Sequence, residues 1–376
     1  MSTTTIGIPK EIKLKENRVS MTPDGVQELV NCGVRVVVEQ DAGTNSSISD
    51  DAYVAAGAVI LEKAADVWSE ADIIIKVKEP QTEEFAFFRP GLVLFTYLHL
   101  AAYPKVAKAL LDHGVTGIAY ETVQTGSGYL PLLAPMSEVA GRMSVQIGAN
   151  LLERHNGGRG VLLGGVSGVQ PARVVVLGAG SVGWNAAWMA SGLEADVLLL
   201  DKNLERLKTI DERQRGRITT IASNHGTVAR AVAEADLLIG AVLVAGGRAP
   251  NIVSEDMVRT MKKDAVLIDI AIDQGGCIET SRETTHIDPT FKVHDVLHYA
   301  VGNMPGAVPH TSTYALTNAT LPYIRSLATS GVKDALQDDP EFFAGLNTYD
   351  GVIVNDSVAE ALPELAAQPA GELSLC

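Results

Sequence analysis

Four polar residues occupy positions where their side chains could carry out chemistry on a small ligand. Lys78, His99 and Asp273 each end or directly follow an apolar run, and Arg18 lies in the loop after the first predicted strand. In open α/β sheets, ligands bind beyond the carboxyl ends of the strands, so residues at these ends are candidates for ligand contact. Two cations, an imidazole and a carboxylate suit a small anionic substrate that undergoes proton transfer.

Each of these residues also has a structural interpretation. Arg18, in a segment of lysines and glutamates, could be a solvated loop charge, and Lys78 could pair with Glu79 at an edge strand. His99, flanked by leucines, could be a core histidine. Asp273 could cap the turn that follows it. The shared position at strand ends favours the chemical interpretation.

A glycine-rich turn joins an apolar strand to a helical segment. The apolar run Arg173–Leu177 is followed by Gly178, Gly180 and Gly183 in a G-x-G-x-x-G spacing. The first glycine permits the tight turn, the second lets a pyrophosphate approach the backbone, and the third lets the helix pack on the strand. The helix N-terminus then receives the phosphates. In this context the spacing predicts a dinucleotide site.

The residue that closes the next apolar run indicates which dinucleotide binds. The carboxylate of Asp201 can accept hydrogen bonds from the ribose hydroxyls of NAD, whereas it would repel a 2′-phosphate. The neighbouring cations Lys202 and Arg206 could offset that repulsion, so NADP stays open. The sequence therefore predicts NAD as the cofactor.

Composition predicts a cytoplasmic protein with two hydrophobic cores. The chain has 376 residues, 46% of them hydrophobic, which is more than one core usually serves. The formal net charge of −15 argues against nucleic acid or an anionic membrane surface as a partner. We see neither a secretory segment nor an apolar stretch of the roughly 18 residues that span a membrane. Cys32, Cys277 and Cys376 lack metal-like spacing, so we expect no disulfide framework and no metal site.

Apolar strands alternate with helical segments, which predicts an α/β fold of two doubly wound parallel-sheet (Rossmann-like) domains with a cleft between them. Strands are predicted over 5–9, 34–39, 73–78, 92–98 and 116–121 in the first series, and over 173–177, 195–200, 237–242 and 265–270 in the second. Helices are predicted over 23–31, 105–112, 137–154, 317–329 and 340–346.

The helix 137–154 is the predicted linker, with Ser137 as its N-cap. We expect a discontinuous substrate and catalytic domain over 1–130 and 306–376. Residues 131–305 form the expected NAD-binding Rossmann domain.

The sequence resembles the alanine dehydrogenase family from Ile6 to about Tyr349. The resemblance rests on GIP at 7–9, RV at 18–19, TP at 22–23, KVKEP at 76–80, TYLHLAA at 96–102, AYETVQT at 119–125, LLAPMSEVAG at 132–141, GAG at 178–180, IDIAIDQGG at 268–276 and TSTYALTN at 311–318. Matches of this length are more specific than any glycine pattern.

This resemblance implies NAD-dependent oxidative deamination of L-alanine to pyruvate and ammonia, with the reverse reductive amination, by a homo-oligomer that is commonly a hexamer. It implies that Arg18 and Lys78 hold the substrate carboxylate, that His99 transfers protons and that Asp273 completes catalysis. Asp273 would position either the attacking water or the imidazole.

The same resemblance implies the cofactor contacts. Ser137, Asp201 and Ser223 are expected to touch NAD, and Arg206 to lie near the adenosine. For the wall of a small substrate pocket we expect Tyr97, Met136 and Met304, although such residues more often belong to a plain core.

Three other functions remain open from the sequence. The chain could be the dinucleotide-binding subunit of a proton-translocating transhydrogenase, which would need a membrane partner. It could be an oxidoreductase resembling saccharopine dehydrogenase, with a bulkier substrate. It could also be a non-catalytic NAD-binding module, which the set of Arg18, Lys78, His99 and Asp273 disfavours.

Overall fold

The computed structural model describes residues 4–242 and 249–369, and these residues form strands and helices in alternation. The strands are β1 (Thr5–Ile8), β2 (Arg35–Glu39), β3 (Val59–Leu61), β4 (Ile73–Ile75), β5 (Val93–Thr96), β6 (Thr116–Ala119), β7 (Arg173–Leu177), β8 (Asp196–Asp201), β9 (Ile218–Ala222), β10 (Leu237–Gly240), β11 (Val266–Asp269), β12 (Thr290–Val293), β13 (Val296–Tyr299), β14 (Leu346–Tyr349) and β15 (Val352–Ile353).

The α-helices follow the same alternation. They are α1 (Pro23–Asn31), α2 (Asp50–Ala55), α3 (Ala64–Glu70), α4 (Pro104–Asp112), α5 (Ala134–Leu151), α6 (Ser181–Gly192), α7 (Leu204–Gln214), α8 (His225–Glu234), α9 (Glu255–Arg259), α10 (Pro309–Ser330), α11 (Val332–Gln337), α12 (Pro340–Phe343) and α13 (Asp356–Ala361). Among the described residues, none of these helices is both long enough and apolar enough to cross a membrane.

The chain divides into two compact units, the first comprising Met1–Met136 with Val308–Cys376 and the second comprising Ser137–Ala307. The sequence prediction put the divisions at 130/131 and 305/306. The helix α5 runs across the first division, in the region predicted to link the domains.

The first unit contains a sheet with the strand order β15-β14-β6-β5-β4-β1-β2-β3. The six strands from β6 to β3 pair in parallel, while β14 and β15 add an antiparallel edge. Alternate side chains pack into different hydrophobic clusters: Val36 and Val38 point to one face and Val37 to the other. The sheet is therefore covered on both faces, as a parallel sheet requires.

The second unit contains a sheet with the order β12-β13-β11-β10-β7-β8-β9. All of its pairings are parallel except that of the edge strand β12 with β13. Val174 and Val176 enter one hydrophobic cluster, and Val175 enters the other. The prediction of two doubly wound α/β sheets is confirmed, with the correction that each sheet has an antiparallel edge.

Three helix predictions need correction at their ends. The predicted helix 340–346 ends at Phe343, and Leu346 instead begins the strand β14. The predicted helix 137–154 runs instead from Ala134 to Leu151, because Pro135 lies in the first turn, where a missing N–H is tolerated. Ser137 is therefore inside the helix and is not its N-cap. The predicted helix 317–329 begins eight residues earlier, at Pro309, for the same reason.

Candidate functional site

Three of the predicted site residues follow neighbouring parallel strands of the first unit. Arg18 follows β1, Lys78 follows β4 and His99 follows β5, and these strands lie side by side. Parallel strands end at the same edge of a sheet, so the fold brings these side chains to one edge. The carboxylate of Glu16 is stabilised by the charges of both Arg18 and Lys78, which places the two cations near one another.

Arg18 is buried, with only 2% of the residue exposed. Its Nε donates to Oε1 of Glu16 at 2.6 Å, and its Nη2 donates to Oε2 at 2.5 Å. This two-pronged contact fixes the plane of the guanidinium. Its Nη1 lies 3.0 Å from the sulfur of Met136. The interpretation of Arg18 as a solvated loop charge is therefore wrong.

Glu16 is the buried partner that makes this arrangement possible. Burial alone would raise the pKa of its carboxyl group, but the charge and hydrogen bonds of Arg18, together with the charge of Lys78, lower that pKa to about 2. Glu16 is therefore ionised at neutral pH and cancels the charge of one cation. The edge thus carries two cationic side chains, Arg18 and Lys78, which suit contact with an anionic group.

The backbone around Lys78 is held by a second buried carboxylate, that of Glu11. Its Oε1 accepts the N–H of Val77 at 2.5 Å and that of Lys78 at 3.3 Å, while its Oε2 lies 3.1 Å from the Lys76 ammonium. Lys76 is fully buried and also donates to Glu84 at 2.9 Å. Backbone bonds to the β5 segment continue past Ile75, from the Lys76 N–H to the Phe95 carbonyl oxygen at 3.2 Å and from the Tyr97 N–H to the Val77 carbonyl oxygen at 3.4 Å. The regular strand β4 nevertheless ends at Ile75, whereas the apolar run predicted a strand to residue 78.

His99 follows β5 with a half-open side chain, of which 37% is exposed. Its backbone has a φ of 47°, in the left-handed region that non-glycine residues rarely adopt. Its ring stacks on that of Tyr97, with centroids 5.8 Å apart and planes 3° from parallel. Its Nδ1 lies 3.7 Å from Oε1 of Glu121. The exposure shows that the interpretation of His99 as a core histidine is wrong.

Sequence reasoning missed the three carboxylates Glu11, Glu16 and Glu121 that hold these side chains or their backbone. A glutamate among other polar or charged residues gives no sign in the sequence that its side chain will be buried. For Glu16 a signal existed, because it stands two residues before Arg18 in a loop leaving a buried strand.

The glycine-rich turn of the second unit has the predicted strand-turn-helix form. Gly178 follows β7 with a φ of 100°, and a Cβ there would lie 2.7 Å from the carbonyl oxygen of Ala241. A Cβ on Gly183 would overlap the carbonyl oxygen of Gly178, so the third glycine allows the helix to approach the strand. A Cβ on Gly180 would meet no heavy atom within 4 Å in the described part of the chain, so the backbone is open there.

Asp201 ends β8 beside this turn. Its Oδ2 accepts the N–H of Ala179 at 2.6 Å, and its Oδ1 accepts that of Asn203 at 2.7 Å. Ser223 follows β9, and its N–H donates to the Asp201 carbonyl oxygen at 2.9 Å. Arg206 is exposed in the first turn of α7. The fold thus brings Asp201 and Ser223 to the edge that carries the glycine-rich turn.

Ser137 lies four residues before Gly141 on α5, so both residues share one face of that helix. A Cβ on Gly141 would collide with the carbonyl oxygen of Val182 in α6. The close approach of these two helices places the start of α5 beside the start of α6. Ser137 is half-buried there, within the second unit.

Asp273 is exposed on a short 3₁₀ helix, Ile270–Gln274, which directly follows β11. Both of its carboxylate oxygens lie 3.3 Å from the N–H of Asn303. The cap of this turn is Asp269, whose Oδ1 accepts the N–H of Ala271 at 3.1 Å. The sequence alternative is that Asp273 caps the turn that follows it. Asp269 instead accepts the N–H of Cys277 after that turn at 3.1 Å, while the Asp273 carboxylate contacts Asn303, so that alternative is wrong.

The residues suggested for a pocket wall fall into different surroundings. Met136 contacts Arg18, and Tyr97 stacks on His99 while its hydroxyl donates to the Leu132 carbonyl oxygen at 2.6 Å. Met304 is buried in a hydrophobic cluster of the second unit. The first two thus line the edge that carries Arg18 and His99.

These features define an α/β protein of two units, the second of which has a Rossmann-type strand-turn-helix arrangement. The family model described as alanine dehydrogenase/PNT, N-terminal domain, matches residues 7–140, and that of the alanine dehydrogenase/PNT C-terminal domain matches residues 144–356. The chain belongs to the alanine dehydrogenase/PNT family.

Named relatives extend this likeness over nearly the whole chain. The alanine dehydrogenase of Methanococcus maripaludis is 54% identical over 368 residues, which cover 97% of this chain and 99% of the relative. A solved structure of L-alanine dehydrogenase has a TM-score of 0.94 and 48% identity, covering 96% of this chain and 100% of that one. The transhydrogenase of Sinorhizobium meliloti has a TM-score of 0.82 and 25% identity, with coverage of 93% and 100%.

Proposed function

We propose that this chain is an enzyme that oxidatively deaminates L-alanine to pyruvate and ammonia with NAD, and that it catalyses the reverse reductive amination. The observation that carries the proposal is the edge of the first unit, where Arg18, Lys78 and His99 follow adjacent parallel strands. The identity of 54% to an alanine dehydrogenase, against 25% to a transhydrogenase, favours this reaction over the transhydrogenase alternative.

The two cations have different parts in substrate binding. The guanidinium of Arg18, held in one plane by Glu16, has the planar geometry that matches a carboxylate. The ammonium of Lys78, whose charge also acts on Glu16, would supply a point charge. Together they would hold the carboxylate of alanine or pyruvate and so orient its Cα.

Proton transfer is assigned to His99. Deamination requires water to add to an iminium carbon and ammonia to leave, so protons must move on and off the intermediates. An imidazole changes its charge in the physiological range, and this one is half-exposed at the edge. We assign Asp273, with its exposed carboxylate, to positioning either the water or the imidazole.

The second unit is the proposed NAD-binding unit, and its residues fit that group. The N-cap of α6 is Gly180, which has no side chain to cover the first N–H groups of the helix, so these can receive a pyrophosphate. Asp201 would accept the ribose hydroxyls, with Ser137, Ser223 and Arg206 nearby in the proposal. When bound, NAD would supply the acceptor for the hydride of the substrate Cα.

The test is oxidation of NADH by the purified chain with ammonium and, in parallel, pyruvate, glyoxylate, 2-oxobutyrate or 2-oxoglutarate, repeated with NADPH. We expect ammonium-dependent turnover that is fastest with pyruvate and NADH. Turnover that needs no 2-oxo acid, or a clear preference for a bulkier one, would overturn the assignment.

Location and assembly belong to the same proposal. We propose a cytoplasmic homo-oligomer, specifically a hexamer, on the basis of the family resemblance. Cell fractionation tests the location and sedimentation equilibrium tests the oligomeric state, and neither measurement depends on the activity.

A further inference from the structure

Glu121 lies where it can act on the backbone of His99. It belongs to the short 3₁₀ helix Tyr120–Thr122, which directly follows β6, the parallel neighbour of β5. Its Oε1 accepts the N–H of His99 at 2.5 Å, and its Oε2 accepts that of Leu98 at 3.2 Å. The side chain of Glu121 is 14% exposed, so water competes little for these bonds.

The backbone that Glu121 holds is in an unfavourable conformation. His99 has a φ of 47°, which costs energy for a residue with a Cβ and persists only where the surroundings impose it. On the other side, the His99 carbonyl oxygen accepts the N–H of Ala102 at 2.8 Å. The residue is therefore fixed at both its N–H and its carbonyl group, and the first of these contacts depends on Glu121.

The imidazole itself is not hydrogen-bonded to this carboxylate. Nδ1 of His99 lies 3.7 Å from Oε1 of Glu121, beyond hydrogen-bond distance, while the backbone N–H lies at 2.5 Å. The ring plane is set by the stacked ring of Tyr97. The direct action of Glu121 is thus on the main chain.

We propose that Glu121 is a positioning residue that holds the left-handed backbone of His99 and so aims the imidazole at the substrate. This inference rests on the proposed function, since it assumes that His99 transfers protons. In this role Glu121 acts as a hydrogen-bond acceptor whose side-chain length places the oxygen at the His99 N–H, and its negative charge is secondary.

Two conservative variants separate the effect of the length of the Glu121 side chain from the effect of its charge. Glu121→Gln loses the charge but keeps an oxygen at the same distance from the backbone. Glu121→Asp keeps the charge but shortens the side chain by one methylene and so withdraws the acceptor. Glu62→Asp is the matched control, because Glu62 is an exposed glutamate of the same unit.

The kinetic readout is kcat and KM for pyruvate, ammonium and NADH. We expect Glu121→Asp to lower kcat by ~10- to 100-fold, because small displacements of a catalytic group have effects of this size. KM for pyruvate should stay within about twofold, since Arg18 and Lys78 are untouched, and Glu121→Gln should retain kcat within ~3-fold. The reverse order of the two variants, or equal kcat in both, would overturn the proposal.

A second readout does not depend on activity. Hydrogen exchange of peptides covering residues 96–103, measured by mass spectrometry, reports the protection of the Leu98 and His99 amides. We expect faster exchange in Glu121→Asp and wild-type protection in Glu121→Gln and Glu62→Asp. Unchanged exchange in Glu121→Asp would refute the backbone hold even if the wild-type chain proved inactive with pyruvate, an outcome that would count only against the proposed function.

Discussion

The two units present candidate ligand-binding sheet edges that are built on opposite physical principles. In the first unit, buried carboxylates hold the candidate site residues: Glu16 pairs with Arg18, and Glu121 accepts a hydrogen bond from the backbone of His99. In the second unit, the glycine-rich turn is shaped by missing side chains, since a Cβ on Gly183 would overlap the carbonyl oxygen of Gly178. One edge depends on polar side chains that hold its residues in place, and the other depends on empty space.

This difference predicts which substitutions each edge tolerates. Loss of the Glu16 charge at nearly constant volume should damage the first edge, because its partner Arg18 is buried and breaking a buried ion pair is costly. An added methyl group should damage the second, because a backbone carbonyl cannot move aside as a flexible side chain can. The following experiments test that contrast.

The largest effect is expected for Glu16→Gln in the first unit. The substitution removes the carboxylate that pairs with the buried guanidinium of Arg18, and breaking a buried ion pair in this way costs ~3–5 kcal/mol. The free energy of unfolding of the first unit should fall by that amount in urea titrations followed by hydrogen exchange. Glu62→Gln, at an exposed position, is the control and should change little.

Acid provides a check on the same pair. The folded-state pKa of Glu16 is lowered from 4.5 to about 2. Its contribution is therefore complete above pH 4.5 and is lost as the pH falls toward 2. The stability gap between wild type and Glu16→Gln should narrow by about 3 kcal/mol over this window. A gap that stays constant would contradict the assignment.

The second-largest effect is expected for Gly183→Ala, which adds side-chain volume at the glycine-rich turn. The new methyl group must displace the Gly178 carbonyl, so we expect a loss of ~3 kcal/mol in the stability of the second unit, at the upper end for overpacking. NADH binding, measured by fluorescence titration, should weaken at least ~10-fold, because the turn that meets the pyrophosphate is distorted. Gly192→Ala is the control: a Cβ there meets no heavy atom of the described residues within 4 Å. Equal behaviour of the two variants would contradict the role given to space.

The third effect concerns turnover, in His99→Ala. We expect kcat to fall by ~10² or more because the proton-transfer group is removed. NADH binding should be unchanged, since its proposed contacts lie in the second unit. His113→Ala, at an exposed position of the first unit, should keep wild-type turnover. Near-normal kcat in His99→Ala would remove the imidazole from its proposed role.

The smallest effect is expected for Asp201→Asn, which removes a carboxylate beside the glycine-rich turn of the second unit. The amide oxygen can still accept a backbone N–H, so the fold should persist, while repulsion of a 2′-phosphate disappears. The ratio of kcat/KM for NADH to that for NADPH should fall by ~10-fold. Asp211→Asn, exposed on α7, should leave the ratio unchanged. A ratio unaffected by Asp201→Asn would show that other residues select the cofactor.

Much of the fold could be predicted from local pattern. The helix α1 has the predicted bounds Pro23–Asn31, with a threonine N-cap and a proline at its start. The central parallel strands β1, β2, β4, β5, β6, β7, β8, β10 and β11 were predicted because they form apolar runs. The edge strands β3, β9, β12 and β15 were missed, because a few half-exposed residues carry too little periodicity to distinguish a strand from a loop. Two further strands were missed: the buried β13, and β14, whose first residue Leu346 was predicted to end a helix.

The candidate site was likewise predictable from the sequence only in part. By itself, the sequence determined the glycine-rich turn and the positions of Arg18, Lys78, His99 and Asp201 at strand ends, because these features depend on residues close together in the chain. Only the tertiary structure decided that Glu121 would lie beside His99, since that contact depends on which strands become neighbours. The tertiary structure also decided that Glu16 stays ionised although it is buried, because the charge and hydrogen bonds of Arg18, together with the charge of Lys78, lower a pKa that burial alone would raise. A pattern of residue types predicts local conformation, whereas the residues that surround a charged group and set its pKa come from distant segments of the chain.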